Sequence, residues 1–428
     1  MDVLLMQPRI AHARRIRSGL GGFIPPMMLL YLAKPLIDKG FDVDILDLTV
    51  YHIDAERFKD YVETYRPSIA GITCTTMAFS NALRSAEYIK RVDPGIKVVM
   101  GGPHVTFKAK ETLENDCIDF VVRGEGDTVF TGLVEHLLRG KGSLQTIKGI
   151  SYRDNGTIVE NPMTTIKDLD SLKYPQRDLR FLTRYSVPGA LQSSRGCPFR
   201  CQFCSAAAMA GGKYRLRSPK SIMEEIDYLV LHVGVNYIAF LDDTLTGFPD
   251  LTEKICLHII GKNYPLKWMC ESRVDIVNRD LLKLMARAGC ISIQFGFESG
   301  SPDVLESIKK NISLEEMENA VRLCVGTGIN ATGNFMIGFP NDTRKTIAET
   351  VSVAKKMKKL GAQVGIAVLT PFPGTYFYEH ADELGITIHT KDWDEYDLEN
   401  PIISTGNLDL EELRWIYYDS KLDLHYNM

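Results

Sequence analysis

Short apolar runs alternate with amphipathic segments along most of the 428-residue chain. Each run has the length of a buried strand, and the segments between runs have the periodicity of a helix. Two parallel strands need a crossover connection between them, which is usually a helix. The alternation therefore predicts an α/β protein built on parallel sheets.

The alternation forms two series. The first covers residues 1–140 and predicts a doubly wound, Rossmann-like domain, with strands in DVLLMQP, DVDILDL, YRPSIAGITCTT, KVVMGGPHVTF and FVVRGEGD. The second covers residues 186–385 and predicts a partial (β/α)6 TIM-like barrel, with strands at 189–196, 237–243, 267–273, 291–300, 330–338 and 363–374. Ligands of both fold types bind where the strands end.

Two further segments lie outside these series. Residues 141–185 contain IKGISYRDNGTIVENP, which predicts a hairpin around its DNG turn and then a linker between the domains. Residues 386–428 are rich in Trp and Tyr and predict a small C-terminal cap, formed by a helix and a loop. Alternatively, some of these aromatic side chains line a substrate entrance.

Composition excludes several classes of partner. The net charge of −4 gives no basic field that would attract nucleic acid or an anionic membrane. No apolar run approaches the roughly 18 residues that span a bilayer. The N-terminal sequence MDVLLMQPR has neither the basic region nor the long apolar region of a signal peptide. These features predict a cytoplasmic protein with no membrane partner.

Three of the nine cysteines, Cys197, Cys201 and Cys204, lie together in CPFRCQFC. The other six are scattered in apolar surroundings, as is usual for core cysteines. Structural zinc usually needs four ligands, and no second cysteine pair matches this one. A redox pair of Cys201 and Cys204 would leave Cys197 unexplained. An iron–sulfur cluster is the third possibility, and three thiolates on a four-iron cube would leave one iron open.

CPFRCQFC resembles the signature of the radical S-adenosylmethionine (SAM) superfamily, including the aromatic Phe203 before the last cysteine. The resemblance implies a 4Fe–4S cluster held by Cys197, Cys201 and Cys204. The open iron would bind the amino and carboxylate groups of SAM. One electron then cleaves the sulfonium and gives a 5′-deoxyadenosyl radical.

Several strand ends of the predicted barrel also resemble this superfamily, in FLDD, CESRVD, FGFESGS, GNFMIGFP and TPFPGT. Glu298 and Ser299 are expected near the ribose and the methionine end of SAM, and the last two motifs near its adenine. The aspartates of FLDD could instead cap the turn that follows them. The residues that the resemblance assigns to cofactor binding here are Asp242, Arg273, Glu298, Ser299, Asn334 and Pro371.

The first series ends its strands in glycine-rich motifs. Gly101 and Gly102 would let the backbone approach a flat ligand closely. No G-x-G-x-x-G follows the first strand, which disfavours a dinucleotide. The motifs GGFIPPMMLLYLA, GITCTT, GGPHVTF and RGEGD, followed by the cysteine cluster, resemble the cobalamin-binding class of radical SAM enzymes over residues 1–385.

This second resemblance implies a cobalamin site at the strand ends. Its predicted residues are Thr73, Thr75, Gly101, Gly102, His104, Gly124, Glu125 and Gly126. The D-x-H-x-x-G motif of proteins that ligate cobalt through histidine is absent. Cobalt is therefore expected without a histidine ligand, and His104 is expected to form a hydrogen bond near the nucleotide tail.

Together the resemblances imply a cobalamin-dependent radical SAM methyltransferase. The radical would abstract hydrogen from an unactivated sp³ carbon, methylcobalamin would supply the methyl group, and a flavodoxin or ferredoxin would supply electrons. The alternatives are a non-methylating cyclase or ring-rearranging enzyme, a methylthiotransferase and a plain corrinoid-binding protein. A methylthiotransferase would need a second three-cysteine site, but only Cys74 and Cys117 occur in the first series.

No motif identifies the substrate. Only residues 386–428 follow the sixth unit, which predicts a lightly capped barrel with an open mouth. Small substrates are usually enclosed, so an open mouth favours a peptide or protein. Family members methylate a glutamine of methyl-coenzyme M reductase, for example, but also small molecules and lipids, which remain the alternative.

Overall fold

The computed structural model describes residues 1–10, 24–175, 177 and 179–426. Part of the GGFIPP segment, residues 21–23, lies outside these ranges. The chain divides into two compact units, one covering most of residues 1–186 and the other most of residues 187–428. No helix in the described ranges is long and apolar enough to cross a membrane.

The first unit is a single sheet flanked by helices. Its strands are β1 (Val3–Gln7), β2 (Val43–Asp47), β3 (Ile69–Thr73), β4 (Lys97–Gly101), β5 (Phe120–Val122), β6 (Ile150–Asp154) and β7 (Thr157–Glu160). Its helices are α1 (Met27–Asp38), α2 (Ala55–Tyr65), α3 (Phe79–Val92), α4 (Pro103–Phe107), α5 (Ala109–Leu113), α6 (Gly126–Arg139) and α7 (Leu179–Leu182).

The strand order is β2-β1-β3-β4-β5-β6-β7, and the first five strands are parallel. This is the doubly wound fold predicted from the alternation. Apolar residues of β1 and α6, such as Leu5, Phe130 and Leu133, share one core on a face of the sheet. Strands covered on both faces have few polar positions, which explains their nearly continuous apolar runs.

The hairpin of β6 and β7 forms around Asn155 and Gly156, whose φ angles are 48° and 80°. Positive φ at both turn residues is typical of the two-residue hairpin turn that DNG predicts. The sequence placed this hairpin between the domains. In the structure β6 pairs antiparallel with β5, so the hairpin extends the first sheet, a pairing on which the sequence was silent.

The second unit is built on six parallel strands. These six are β8 (Gly189–Leu191), β11 (Tyr237–Phe240), β12 (Lys267–Ser272), β13 (Cys290–Glu298), β14 (Asn330–Ile337) and β15 (Gln363–Val368). Shorter strands form two separate pairs, β9 (Ser194–Arg195) with β10 (Arg215–Leu216) and β16 (Thr387–Ile388) with β17 (Ile403–Ser404). The helices are α8 (Ala206–Met209), α9 (Pro219–Tyr228), α10 (Pro249–Gly261), α11 (Arg279–Arg287), α12 (Pro302–Ser307), α13 (Leu314–Thr327), α14 (Arg344–Lys359), α15 (Tyr376–Glu379) and α16 (Leu410–Tyr426).

The six-stranded sheet has the order β15-β14-β13-β12-β11-β8, with neighbours in the order of the chain. This is the predicted partial (β/α)6 barrel. The first strand is shorter than the predicted 189–196, because the chain turns at Ser193 and then pairs β9 with β10. All six carboxyl ends lie at one edge of the sheet, where the cysteine loop begins.

The C-terminal segment is part of the core of the second unit. Leu413 and Tyr417 of α16 are fully buried and share a cluster with Ile337 of β14 and Val368 of β15. α16 therefore packs beside the last two barrel strands. Its opposite face exposes Trp415.

Candidate functional site

The cysteine loop connects β9 to α8 and carries Cys197, Cys201 and Cys204. Cys197 and Cys201 are partly buried, and Cys204 is exposed. The backbone N–H of Cys204 donates to the carbonyl of Cys201 over 3.2 Å, so the loop closes on itself between these two thiols. Among the described residues, no three His, Cys, Asp or Glu side chains converge closely enough to hold a single metal ion.

Asp242 fixes the start of this loop. Its carboxylate accepts hydrogen bonds from the Ser193 hydroxyl at 2.8 Å, the Ser193 N–H at 3.1 Å and the Ser194 hydroxyl at 2.5 Å. Burial raises the pKa of Asp242 to about 6, although these hydrogen bonds oppose the rise. The sequence assigned Asp242 to cofactor binding, whereas the structure shows a carboxylate that holds the turn leading into the loop.

Arg273 lies directly after β12 and contacts the cysteine loop. Its Nη1 lies 3.9 Å from Cys201 Sγ, and its guanidinium lies 3.7 Å from the centre of the Phe199 ring. Nε and Nη2 each donate to Asp275 over 2.9 Å, and Nη2 also donates to the carbonyl of Lys310 over 2.8 Å. A single side chain thus joins the cysteine loop to the end of β12 and to the loop after α12.

Glu298, the last residue of β13, has a φ of 64°. The pairing of β13 with β14 shifts register there, and a shift of this kind redirects a side chain at the end of a strand. The carboxylate folds back over Gly296, where a Cβ would lie 2.2 Å from Glu298 Oε1. Its partner is Lys310, whose Nζ donates over 2.9 Å, and both side chains are buried.

Lys310 was not predicted from the sequence, because no motif places it. Its ammonium lies 5.9 Å from the centre of the Phe203 ring in the cysteine loop. Burial raises the pKa of the Cys201 thiol, while the charges of Lys310 and Arg273 lower it. The loop is therefore adjacent to two buried cations, which stabilise negative charge on sulfur.

Two polar side chains also face each other within β12 and β13. Glu271 on β12 faces Gln294 on β13, whose amide nitrogen donates to it over 3.5 Å. Burial raises the pKa of Glu271 to about 7, and the charges of Asp243 and Glu298 add to the rise. Among the described residues, the buried amide oxygen of Gln294 accepts no hydrogen bond. The sequence did not single out Gln294.

The other predicted residues of this unit differ in exposure. Ser299 is 1% exposed and is used inside the fold, since its hydroxyl lies 3.1 Å from that of Thr350 and accepts from the Ser301 N–H. Asn334 lies on β14 and is partly exposed, and Pro371 is buried just after β15. Asn334 thus lies within the fifth strand of the barrel, and Pro371 follows the end of the sixth.

In the first unit, the predicted residues gather at one edge. Thr73 ends β3 and pairs with Gly101, which ends β4, and Gly124 follows the end of β5. Thr75 follows in the loop after β3 and is exposed. The strand order reverses direction between β1 and β3, and ligands of such sheets bind in the crevice at that point.

Gly102 is required by the packing of its own unit. Its φ of 108° is rare for other residues, and a Cβ would lie 2.7 Å from the carbonyl oxygen of Cys74. The missing side chain therefore lets the loops after β3 and β4 pack against each other. Close approach of a ligand is not needed to explain this glycine.

His104 is 1% exposed. Its Nδ1 lies 3.2 Å from the hydroxyl of Thr76, and its ring lies 4.3 Å from that of Phe79. Burial lowers the pKa of His104 to about 3, with help from the charge of Lys108, so the ring is neutral. The contact of Nδ1 with Thr76 was not predicted from the sequence, and the expected hydrogen bond to a nucleotide tail stays a prediction.

Glu125 and Gly126 begin α6. The carboxylate of Glu125 accepts a hydrogen bond from the backbone N–H of Ile166 over 2.7 Å, which fastens the segment after the hairpin. A Cβ on Gly126 would lie 3.3 Å from Leu32, so this glycine serves helix packing. Gly124 has more space, because a Cβ there would meet only Met163 Sδ, at 3.7 Å.

The residues fit the implied cofactors. Three thiols lie on one loop beside two buried cations, an environment suited to an anionic thiolate-ligated cluster. In the first unit, small residues and backbone groups meet at the edge where a flat ligand would lie. His104 is buried, and its Nδ1 lies beside the hydroxyl of Thr76.

Two family models match the chain. The radical SAM superfamily model matches residues 191–354, and the B12-binding domain model matches residues 14–134. The first match covers the cysteine loop and the strands up to β14. The second covers the sheet edge with its glycines.

Three curated relatives extend over nearly the whole chain. An uncharacterized methyltransferase of Pyrococcus horikoshii is 36% identical over 419 residues, 96% of this chain and 90% of that protein. The anaerobic magnesium-protoporphyrin IX monomethyl ester cyclase of Rubrivivax gelatinosus is 30% identical, over 96% of this chain and 75% of that protein. The bacteriochlorophyllide d C-12(1)-methyltransferase of Chlorobaculum tepidum is 27% identical, over 96% and 84%.

Solved structures share the fold. The radical SAM methyltransferase TsrM from Kitasatospora setae, with cobalamin and a 4Fe–4S cluster bound, superposes with a TM-score of 0.76 at 22% identity, covering 92% of this chain and 81% of that one. The cobalamin-dependent radical SAM enzyme OxsB superposes with a TM-score of 0.80 at 17% identity, covering 98% and 65%. The chain therefore belongs to the cobalamin-dependent radical SAM methyltransferase family, whose cofactors are a 4Fe–4S cluster, S-adenosylmethionine and cobalamin.

Proposed function

We propose that this enzyme transfers a methyl group to an unactivated sp³ carbon. The observation that carries the proposal is the combination, in one chain, of the cysteine loop at the strand ends of the barrel and a cobalamin-type sheet edge. When bound, SAM at the cluster supplies a hydrogen-abstracting radical and methylcobalamin supplies the methyl group. The protein's contribution is placement and the exclusion of water and oxygen.

The residues divide into two groups under this proposal. Cys197, Cys201 and Cys204 would hold the cluster, while Asp242 positions the loop through Ser193. At the sheet edge of the first unit, Thr73, Gly101 and Gly124 would contact cobalamin, and His104 would not ligate its cobalt. The Glu298–Lys310 ion pair would lie near the ribose end of SAM. A low-potential flavodoxin or ferredoxin is the proposed electron donor.

We propose a small-molecule substrate, in place of the peptide or protein that the sequence analysis favoured. The names of two of the three curated relatives state tetrapyrrole substrates. The peptide hypothesis rests on the short C-terminal segment, and α16 of that segment is packed into the core beside β15. No relative reported above points to a glutamine of methyl-coenzyme M reductase.

A second candidate function is a cyclisation without methyl transfer. The cyclase of Rubrivivax gelatinosus is 30% identical to this chain, which is a higher identity than that of the bacteriochlorophyllide methyltransferase. Both functions would use the same cysteine loop and the same cobalamin edge. They differ in whether a methyl group leaves SAM.

The test is an anaerobic assay of the reconstituted enzyme with a low-potential reductant and a panel of tetrapyrroles, lipids and peptides. Methyl transfer predicts S-adenosylhomocysteine and 5′-deoxyadenosine in equal amounts with a small molecule. Coupled turnover with peptides alone would refute the proposed substrate class. Formation of 5′-deoxyadenosine and product without S-adenosylhomocysteine would identify the cyclase alternative.

A further inference from the structure

The guanidinium of Arg273 is held in one orientation by its surroundings. Of its five N–H donors, two go to the carboxylate of Asp275 and one to the carbonyl of Lys310, and Nη1 is directed to Cys201. The ring of Phe199 lies under its plane. The guanidinium is planar and is held by three hydrogen bonds, so Nη1 is fixed in place beside the sulfur of Cys201.

The carboxylate of Asp275 and the thiol of Cys201 lie on different edges of the Arg273 guanidinium. The carboxylate lies on the Nε and Nη2 edge of the guanidinium, while Nη1 lies 3.9 Å from Cys201 Sγ, within the range of a hydrogen bond to sulfur. The positive end of the pair is therefore directed at the thiol. The Arg273 side chain is 6% exposed, so solvent screens this field little.

A four-iron cluster that gains an electron gains a negative charge, part of which lies on its sulfurs. Net charge and hydrogen bonds to the sulfurs are among the factors that set the reduction potential of such clusters. A fixed cation beside one thiolate stabilises the reduced form more than the oxidised form. It therefore raises the potential at which the cluster accepts its electron.

We propose that Arg273 is a positioning residue that acts on the cluster through the Cys201 thiolate and raises its reduction potential. This role differs from the contact with SAM that the family resemblance implies for Arg273. It rests on the proposed assignment of Cys201 as a cluster ligand. The reaction concerned is a one-electron reduction of the cluster by an external low-potential donor, with no bond made or broken.

The test measures the potential directly, in reconstituted enzyme without SAM or substrate. The cluster is titrated against a low-potential reductant in the presence of mediators, and the reduced form is quantified by electron paramagnetic resonance. At the potential where the wild-type cluster is half reduced, Arg273→Gln is expected to lower the ratio of reduced to oxidised cluster about tenfold, or about 59 mV for one electron.

Three further variants separate charge from structure. Arg273→Lys keeps the charge and is expected to change the ratio less than threefold. Asp275→Asn keeps the guanidinium but removes the carboxylate that compensates it, so the ratio should rise about threefold. Arg279→Gln removes an exposed cation shortly after Asp275 and should leave the ratio unchanged.

The outcomes decide the proposal. An Arg273→Gln cluster that titrates like the wild type would overturn it, as would a shift equal to that of Arg279→Gln. If Arg273→Gln fails to retain iron, Asp275→Asn carries the test, and a ratio that is unchanged or lower in that variant refutes the proposal. The methyl-transfer function is tested separately, because no substrate is present in this experiment.

Discussion

The two units use the ends of parallel strands in different ways. In the first, the residues at the edge are threonines and glycines, and the larger polar side chains are used inside the fold. In the second, charged side chains at the strand ends form ion pairs beside the cysteine loop. The difference shows that the glycine-rich motifs reflect backbone conformation and close packing. The charged residues, in contrast, find their partners only when distant segments come together in the fold.

The glycines of the two units illustrate the same contrast. A side chain on Gly102 would collide with the backbone of Cys74, whose N–H and carbonyl are both hydrogen-bonded. A side chain on Gly296 would collide with the carboxylate of Glu298 and the ammonium of Lys310. Gly102 thus allows the loops after β3 and β4 to pack closely, and Gly296 leaves space for a buried ion pair.

The largest effect is expected in the cysteine loop. Cys201→Ala should abolish assembly of a cluster of about four irons, because each thiolate is needed to hold it. Iron analysis and the visible absorbance of the reconstituted protein measure this. Cys117→Ala, in the first unit, is the control and should keep the iron. Loss of iron in the control together with retention in Cys201→Ala would refute the ligand assignment.

The second largest effect is expected on stability, where the loops after β3 and β4 pack against each other in the first unit. Gly102→Ala should lower the free energy of unfolding by about 3 kcal/mol, because it combines a forbidden φ with a backbone collision. Gly140→Ala is the control, since it has positive φ but no atom within 4 Å of the new Cβ, and should cost about 1 kcal/mol. Urea unfolding measures both. Equal losses in the two variants would contradict the packing account of Gly102.

A smaller, pH-dependent effect is expected at Glu271 in the second unit. The pKa of Glu271 rises on folding to about 7, so the folded state binds a proton more tightly than the unfolded state. Its contribution to stability is therefore present below the ordinary pKa and is lost as the pH rises through 7. Glu271→Gln should stabilise the apoprotein by about 2 kcal/mol at pH 8 and by much less at pH 5.

The control for Glu271 is Glu253→Gln, an exposed carboxylate on α10. It should change the free energy of unfolding little at either pH. Urea unfolding at both pH values provides the comparison. A Glu271→Gln effect that is the same at pH 5 and pH 8 would show that the carboxyl is not perturbed by burial.

The smallest effect is expected at His104. If cobalt has no histidine ligand, His104→Gln should leave the electron paramagnetic resonance spectrum of the bound cob(II)alamin unchanged. The physical reason is that the ring is buried against Thr76 and Phe79. A nitrogen splitting in the wild type that disappears in the variant would contradict this account of the first unit.

The sequence was sufficient to predict the two folds and the cysteine loop. Apolar runs and helical segments depend on local periodicity, and the three cysteines are neighbours in the chain. The contacts of Asp242 and Glu298 could not be predicted in this way. Asp242 turns back to Ser193 because the first barrel strand ends early, and Glu298 meets Lys310 because β13 shifts its register at its end.

The pairing of the hairpin with the first sheet could not be predicted for a similar reason. Its DNG turn is encoded locally and was predicted correctly. Its pairing with β5 depends on which strand edge is available, and no local pattern states this. The contact of the His104 ring with Phe79 likewise could not be predicted, because the two residues are distant in the chain.

Movement of a methyl group from SAM to a carbon atom distinguishes the proposed function from a cyclisation. The most direct measurement is mass spectrometry of an anaerobic reaction with a cell extract and SAM carrying a deuterated methyl group, with Cys201→Ala in parallel. With the wild-type enzyme we expect a product in which one hydrogen is replaced by CD3, and with the variant we expect no such product. A new wild-type product that carries no deuterium would contradict methyl transfer.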